Sequence, residues 1–218
     1  MSLQGTSTLV TSLAGGRELA LAEQGGQYTA ITPTPGTGII AGAVQTFVET
    51  TPVLVVYNGG LLNIFPQYLR MHCTVISTTA STAKFWTNTL DVGNRYTSGG
   101  TALTINNNNM ASGATSGAVI TFGAITASAA TTARRVVSHS ASKYVTVETV
   151  HDTISLNWGD PATGLLSNLI NNAASLVHST NNHAPVMIGP GQSMVLVHWG
   201  SAVTVGVTLE AEFAFVAK

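Results

Sequence analysis

The chain has 218 residues, which suits one domain, or one domain with an added segment. Its hydrophobic content of 44% excludes an intrinsically disordered chain, but only 8% of its residues are charged and the formal net charge is −1. Lys and Arg are scattered, which argues against a nucleic-acid partner, and no long apolar run indicates a transmembrane helix. A surface with so little charge favours association with other protein subunits.

The first fifty residues differ in pattern from the rest of the chain. They lack the basic and apolar regions of a signal peptide, and they contain glycine pairs and the turn-rich run TPTPGTG at residues 32–38. Residues 17–23 suit two helical turns or a short strand. We therefore predict that residues 1–50 form an extended arm, held by a neighbouring subunit because ordering an arm costs entropy. Deleting the arm is expected to leave a folded domain that no longer assembles.

From residue 51 onward the pattern is that of β-strands separated by turns. A loop is expected at residues 94–100 and a short helix within residues 165–177, and the alternation of residues 203–215 predicts a long final strand. The other strand candidates are residues 53–57, 64–77, 84–90, 101–105, 116–126, 134–139, 144–150, 153–158 and 194–199. Such regular spacing is typical of an antiparallel β-sandwich. We expect residues 51–218 to form this all-β domain, with a jelly-roll-like arrangement.

The single cysteine and the aromatic residues divide into predicted core and predicted surface. Cys73 lies in a strand-like run and is predicted to be a buried thiol with no disulfide. Trp86 and Trp199 lie in apolar runs and are predicted core residues. Tyr96 and Trp158 lie beside turns, so we predict that they are exposed and available to contact a ligand such as a sugar.

The histidines offer little for catalysis or metal binding. His178 and His183 have the spacing closest to that of zinc ligands, but a polar Ser-Thr-Asn-Asn loop separates them and no cysteine is near. His151 and Asp152 would need a serine nucleophile, and no G-x-S-x-G motif is present. We predict no metal site and no catalytic triad.

The acid pair Glu210 and Glu212 lies on one face of the predicted last strand. The two Cβ atoms should be about 7 Å apart, near the separation of glycosidase carboxylates. Two acids on the solvent face of an edge strand more often prevent aggregation. We therefore predict a protein without catalytic residues or a cofactor, and Glu210→Gln would abolish any hydrolysis if the pair were catalytic.

Three runs of the sequence form a recognisable set in this order. They are TPTPGTGI at residues 32–39, NRYTSGGTALT at residues 94–104 and IGPGQS at residues 188–193. Together they resemble structural proteins of tailed bacteriophages. The resemblance implies a jelly-roll-like subunit of the head or tail that decorates or cements the capsid, with no catalytic residues.

The leading functional prediction is a non-enzymatic virion structural protein on the capsid surface. It would self-associate as a homotrimer and bind neighbouring major capsid subunits, with no nucleic-acid or membrane partner. The alternative is a carbohydrate- or receptor-binding β-sandwich of a phage tail spike or fibre, with Tyr96 and Trp158 at its binding end.

Overall fold

The computed structural model describes residues 17–42, 44–75, 84–142, 150–159, 178–200 and 207–218. Within these residues lie one helix and thirteen strands: α1 (Arg17–Glu23), β1 (Gln27–Ile31), β2 (Ile39–Ile40), β3 (Leu54–Asn58), β4 (Ile64–Val75), β5 (Lys84–Asp91), β6 (Tyr96–Ala102), β7 (Thr104–Asn107), β8 (Ala118–Ala127), β9 (Arg135–Ser142), β10 (Thr153–Trp158), β11 (His178–His183), β12 (Ser193–Trp199) and β13 (Thr208–Ala217). No helix among them is long and apolar enough to cross a membrane.

The strands form two sheets. The first sheet has the order β11-β10-β4-β13-β1-β7, and β2 also pairs with the start of β13. The second sheet has the order β6-β8-β3-β12-β5-β9. All these pairs of strands are antiparallel except β10 and β11, which are parallel. The two sheets pack against each other, which confirms the predicted β-sandwich.

The core lies between the sheets and follows the alternation of the strands. Phe213 and Phe215 of β13 face inward, as do Leu69 and Met71 of β4, and all four side chains are fully buried. Burial of one such side chain contributes about 1.5–3 kcal/mol. Cys73 is buried in the same core, which confirms its prediction as a structural thiol.

A smaller apolar cluster lies on the outer face of the second sheet. Val195 and Val197 of β12 are fully buried there, and Val44, Phe47 and Trp199 pack over them. β12 is therefore buried on both faces, as its continuous apolar run predicted.

Part of the segment predicted to form an extended arm, residues 27–31, lies as strand β1 in the first sheet. β1 lies between β13 and β7, and its residues Tyr28 and Ala30 are 2% and 0% exposed. The alternation of these two residues with polar neighbours gives β1 an inward face. The covering of β12 by residues 44–47 is a second contact of this region with the sandwich. Residues 1–16 lie outside the described residues.

β1 and β2 occupy successive positions along β13. Ile31 is opposite Glu212, and Ile39 is opposite Leu209. The intervening residues 32–38, here called the proline loop, leave the line of the two strands. Thr32 begins the loop and is fixed by the Ala211 backbone, whose N–H donates to its hydroxyl oxygen.

Several element boundaries differ from their predictions. Residues 94–100 were expected to form a loop, but β6 begins at Tyr96 and pairs with β8 through two bulges. The second bulge lies between Gly99 and Thr101, where Gly99 and Gly100 have positive φ angles of 79° and 66° that most residues rarely adopt. The strand predicted at 144–150 and the helix predicted within 165–177 lie outside the described residues, except for residue 150, and β13 is described from Thr208.

Candidate binding surface around the proline loop

The structure separates the two aromatic residues that the sequence singled out. Trp158 is 5% exposed and packs edge-on against Phe213, with ring centroids 6.1 Å apart, so its predicted surface position is wrong. Trp158 is buried because side chains alternate along β10, and those of residues 154, 156 and 158 all face the core. Tyr96 is 38% exposed, and its hydroxyl donates to the Gly99 carbonyl. Because Trp158 is buried and Tyr96 is exposed, the two rings do not form a shared ligand-contacting surface.

The predicted pair His178 and His183 lies at the two ends of β11. The ring of His183 packs beside Trp158 at a centroid distance of 6.0 Å. Burial lowers the pKa of His183 below its ordinary value because the charged imidazolium would lose its hydration. No group of three or more His, Cys, Asp or Glu side chains within the described ranges is arranged to hold a metal ion.

The predicted acid pair lies on the outer face of the first sheet. β13 pairs with β4 on one side and with β1 on the other, so the expectation of an edge strand is wrong. Across the ladder to β4, Glu210 is opposite His72 and Glu212 is opposite Arg70. The register of β4 and β13 thus brings two carboxylates, a guanidinium and an imidazole onto one surface.

The two carboxylates of this surface have different partners. Glu212 accepts a hydrogen bond from the Tyr68 hydroxyl, and its Oε1 lies 3.8 Å from Nη1 of Arg70. Glu210 accepts a hydrogen bond from the backbone N–H of Gly36. Glu210 therefore ties the proline loop to the sheet, whereas Glu212 belongs to the β4 side.

A cleft of about 230 Å³, here called the acid cleft, lies between the proline loop and the sheet. Its lining includes the apolar residues Ile31 and Pro35 and the polar residues Arg70, His72, Glu210 and Glu212. Its two carboxylates and one guanidinium have a summed formal charge of −1. The cleft can therefore hold a polar group of a partner or ligand against an apolar wall.

Two histidine rings meet beside the acid cleft. Nε2 of His72 lies 3.2 Å from Nδ1 of His151, and Nδ1 of His72 lies 3.5 Å from the Thr153 hydroxyl. His151 has a positive φ of 79°, which turns the chain into β10. A hydrogen bond between the two rings requires one nitrogen to donate and the other to accept.

A second cleft, here called the threonine cleft, lies on the other side of the proline loop. Its volume is about 440 Å³, and all its lining residues are uncharged. Thr34, Thr37 and Ile40 form one wall, and Gly100 and Thr101 of β6 form part of the other. Two of the three runs that carry the resemblance, residues 32–39 and 94–104, therefore meet here.

Sequence reasoning missed the ion pair of Asp91 and Arg95. Nη1 of Arg95 lies 3.0 Å from Oδ2 of Asp91, and both side chains are buried. Burial raises the pKa of Asp91, but hydrogen bonds from Thr131, Val92 and Arg95 outweigh it and hold this pKa below its ordinary value. The signal in the sequence was an acid and a base four residues apart in a chain with few charges.

No protein-family model, no curated protein and no solved structure matches the chain.

Proposed function

We propose that the chain is a non-enzymatic virion structural protein of a tailed bacteriophage, which self-associates as a homotrimer and binds neighbouring major capsid subunits at the capsid surface. The observation that carries the proposal is the order of the strands. Eight of the described strands form the comparison: β1, β3, β4, β5, β9, β10, β12 and β13. When these eight are renumbered 1 to 8 in chain order, the first sheet contains the order 1-8-3-6 and the second sheet contains the order 2-7-4-5.

That order supports a jelly-roll-like arrangement, with β2, β6, β7, β8 and β11 as additions. Jelly rolls recur in viral capsid subunits and in lectin domains. Since one fold serves many functions, the choice between assembly and ligand binding rests on the composition of the chain. Low charge supports the assembly function over the others, since 8% charged residues leave little repulsion between copies.

Exposed apolar residues at one end of the sandwich support association. Leu61 is 93% exposed in the turn between β3 and β4, and Met110 is 101% exposed in the loop after β7. The Gly59 N–H in the first of these turns donates to the Gly117 carbonyl at the start of β8. These are the two most exposed large apolar side chains of the described residues, and a partner subunit that covered them would remove apolar surface from water.

The test is the mass of the purified protein in solution, alone and mixed with virion shells. We expect three times the 22.5 kDa of one chain, and co-sedimentation with shells. The double variant Leu61→Ser/Met110→Ser should lower the oligomeric mass, whereas the control Val92→Ser, at a residue 56% exposed elsewhere, should not. A wild-type monomer that never binds shells would contradict the proposal.

The second candidate function is carbohydrate or receptor binding by a tail spike or fibre. It is favoured by the two clefts beside the proline loop, and it no longer involves Trp158, which is buried. A glycan array separates the two functions. Reproducible binding that Glu210→Gln or Tyr96→Ala removes would support this candidate, and no binding by the wild type would count against it.

A further inference from the structure

The inner face of the second sheet carries a group of polar side chains next to its β9 edge. Trp86 of β5 is opposite Ser140 of β9 and His198 of β12, and Asn88 of β5 is opposite Ser138 of β9. Residues opposite each other in an antiparallel pair point to the same face. Trp86 belongs to the core cluster, so this face is the interior of the sandwich.

Several polar atoms of this group have no hydrogen-bond partner within the described part of the chain. They are the indole N–H of Trp86, both amide atoms of Asn88 and the hydroxyl oxygens of Ser138 and Ser140. All are inaccessible to solvent, and Trp86 and Asn88 are each 1% exposed. The indole N–H of Trp158, in the opposite sheet, is in the same condition.

This many buried polar atoms without hydrogen-bond partners would strongly destabilise the folded domain. A buried polar atom without a partner loses its hydration and gains nothing in return. The combined loss from this group would rival the whole net stability of a typical domain. Buried polar atoms in proteins are instead satisfied by protein groups or by ordered water.

We infer that Trp86, Asn88, Ser138 and Ser140 form an interior binding site for uncharged oxygen ligands, either ordered water molecules or the hydroxyl groups of a small neutral molecule. The site offers both donors and acceptors, because an amide and a hydroxyl can act as either. A carboxylate or ammonium would bring an unpaired charge into the core, since none of these four residues is charged.

The position of Trp86 is fixed from the side opposite Ser140. The ring of His198 stacks on the indole with a centroid distance of 4.2 Å and an interplanar angle of 8°. The indole therefore keeps a set orientation while its N–H stays without a protein partner. A set donor of this kind can bind an oxygen ligand with a defined geometry.

The experiment uses the full isotope-labelled chain and measures magnetisation transfer from water to side-chain N–H protons by NMR. We expect long-lived water contacts at the Trp86 indole and at the Asn88 amide. The matched control is the Trp199 indole, whose N–H already donates to the Thr87 hydroxyl at 2.9 Å and should show none. If a neutral molecule occupies the site, native mass spectrometry will show its added mass and its protons will contact Trp86 instead.

Two variants make the inference falsifiable. Ser138→Ala should weaken the ligand contact at Asn88 and leave Trp199 unchanged, and Asn88→Leu should remove the contact at Trp86 and lower the unfolding midpoint. If Asn88→Leu does not fold, Ser138→Ala carries the test. The inference is overturned if assigned Trp86 and Asn88 protons show no ligand contact, or if Asn88→Leu unfolds at the same or a higher denaturant concentration.

Discussion

Asp91 and Arg95 form a buried ion pair that holds three segments together. Besides the ion pair, Arg95 donates from Nε to the Ser128 carbonyl and from Nη2 to the Glu49 carbonyl. Asp91 accepts hydrogen bonds from the backbone N–H groups of Thr131 and Val92. The pair therefore links the end of β5 to the segments around residues 128–131 and 49.

Replacing Asp91 by Asn should cost about 3–5 kcal/mol of unfolding free energy, because Arg95 would remain buried without a counter-charge. Urea unfolding at neutral pH measures this loss. Arg134→Gln is the matched control, since its ion pair with Glu49 is partly exposed and should contribute about 1 kcal/mol or less. If the two variants lost the same unfolding free energy, burial of the Asp91–Arg95 pair would not increase its contribution to stability.

The pH dependence of the same variant follows from the lowered pKa of Asp91. A carboxyl whose pKa is lower in the folded state than in the unfolded state stabilises the fold above the unfolded value of 3.8. That contribution is lost as the pH falls through the folded pKa. Wild-type protein should therefore lose more unfolding free energy than Asp91→Asn when the pH is lowered below about 4. A parallel acid dependence of the two proteins would contradict this assignment.

At the scale of elements, the contact between β2 and β8 depends on a glycine. Gly123 of β8 has a φ of 115°, and a Cβ atom added there would lie 2.6 Å from Cγ2 of Ile39 and 3.1 Å from the Ile40 carbonyl oxygen. β2 forms a wall of the threonine cleft, so the same approach shapes that cleft.

Gly123→Ala should destabilise the fold by about 1–3 kcal/mol, because it adds both a strained φ and a clash with β2. Gly93→Ala is the control, since no atom lies within 4 Å of its added Cβ. The unfolding midpoints of the two variants give the comparison. A Gly123→Ala midpoint equal to that of Gly93→Ala would mean that β2 moves away without cost.

How much the sequence could predict also differs between elements. β10 and β12 lie where their patterns placed them, since alternation and continuous apolar runs are local signals. The sequence also predicted that Glu210 and Glu212 share a face. It could not predict that β1 belongs to the sandwich, because β1 has five residues and its partner β13 lies about 180 residues away. Nor could it bring Arg70 and His72 to the acid cleft, which depends on the β4–β13 register.

At the scale of the whole molecule, β1 connects the first part of the chain to the last. It forms ladders with β13 and β7, and Tyr28 stacks on Phe215 with ring centroids 5.3 Å apart. Removing β1 would expose one edge of β13 and open the core beside Phe215. A truncation therefore has an effect that depends on whether it includes residues 27–31.

A chain lacking residues 1–16 keeps every described strand, so we expect it to unfold cooperatively with a midpoint close to that of the full chain. A chain lacking residues 1–31 loses β1, and we expect it to aggregate or to show no cooperative transition. Circular dichroism during heating and size-exclusion chromatography measure both outcomes. If the chain without residues 1–31 were stable and monodisperse, the sandwich would not need β1 to fold, as the prediction of an N-terminal arm requires. Loss of the oligomer in a chain that lacks only residues 1–16, yet folds, would assign the assembly contact to those residues.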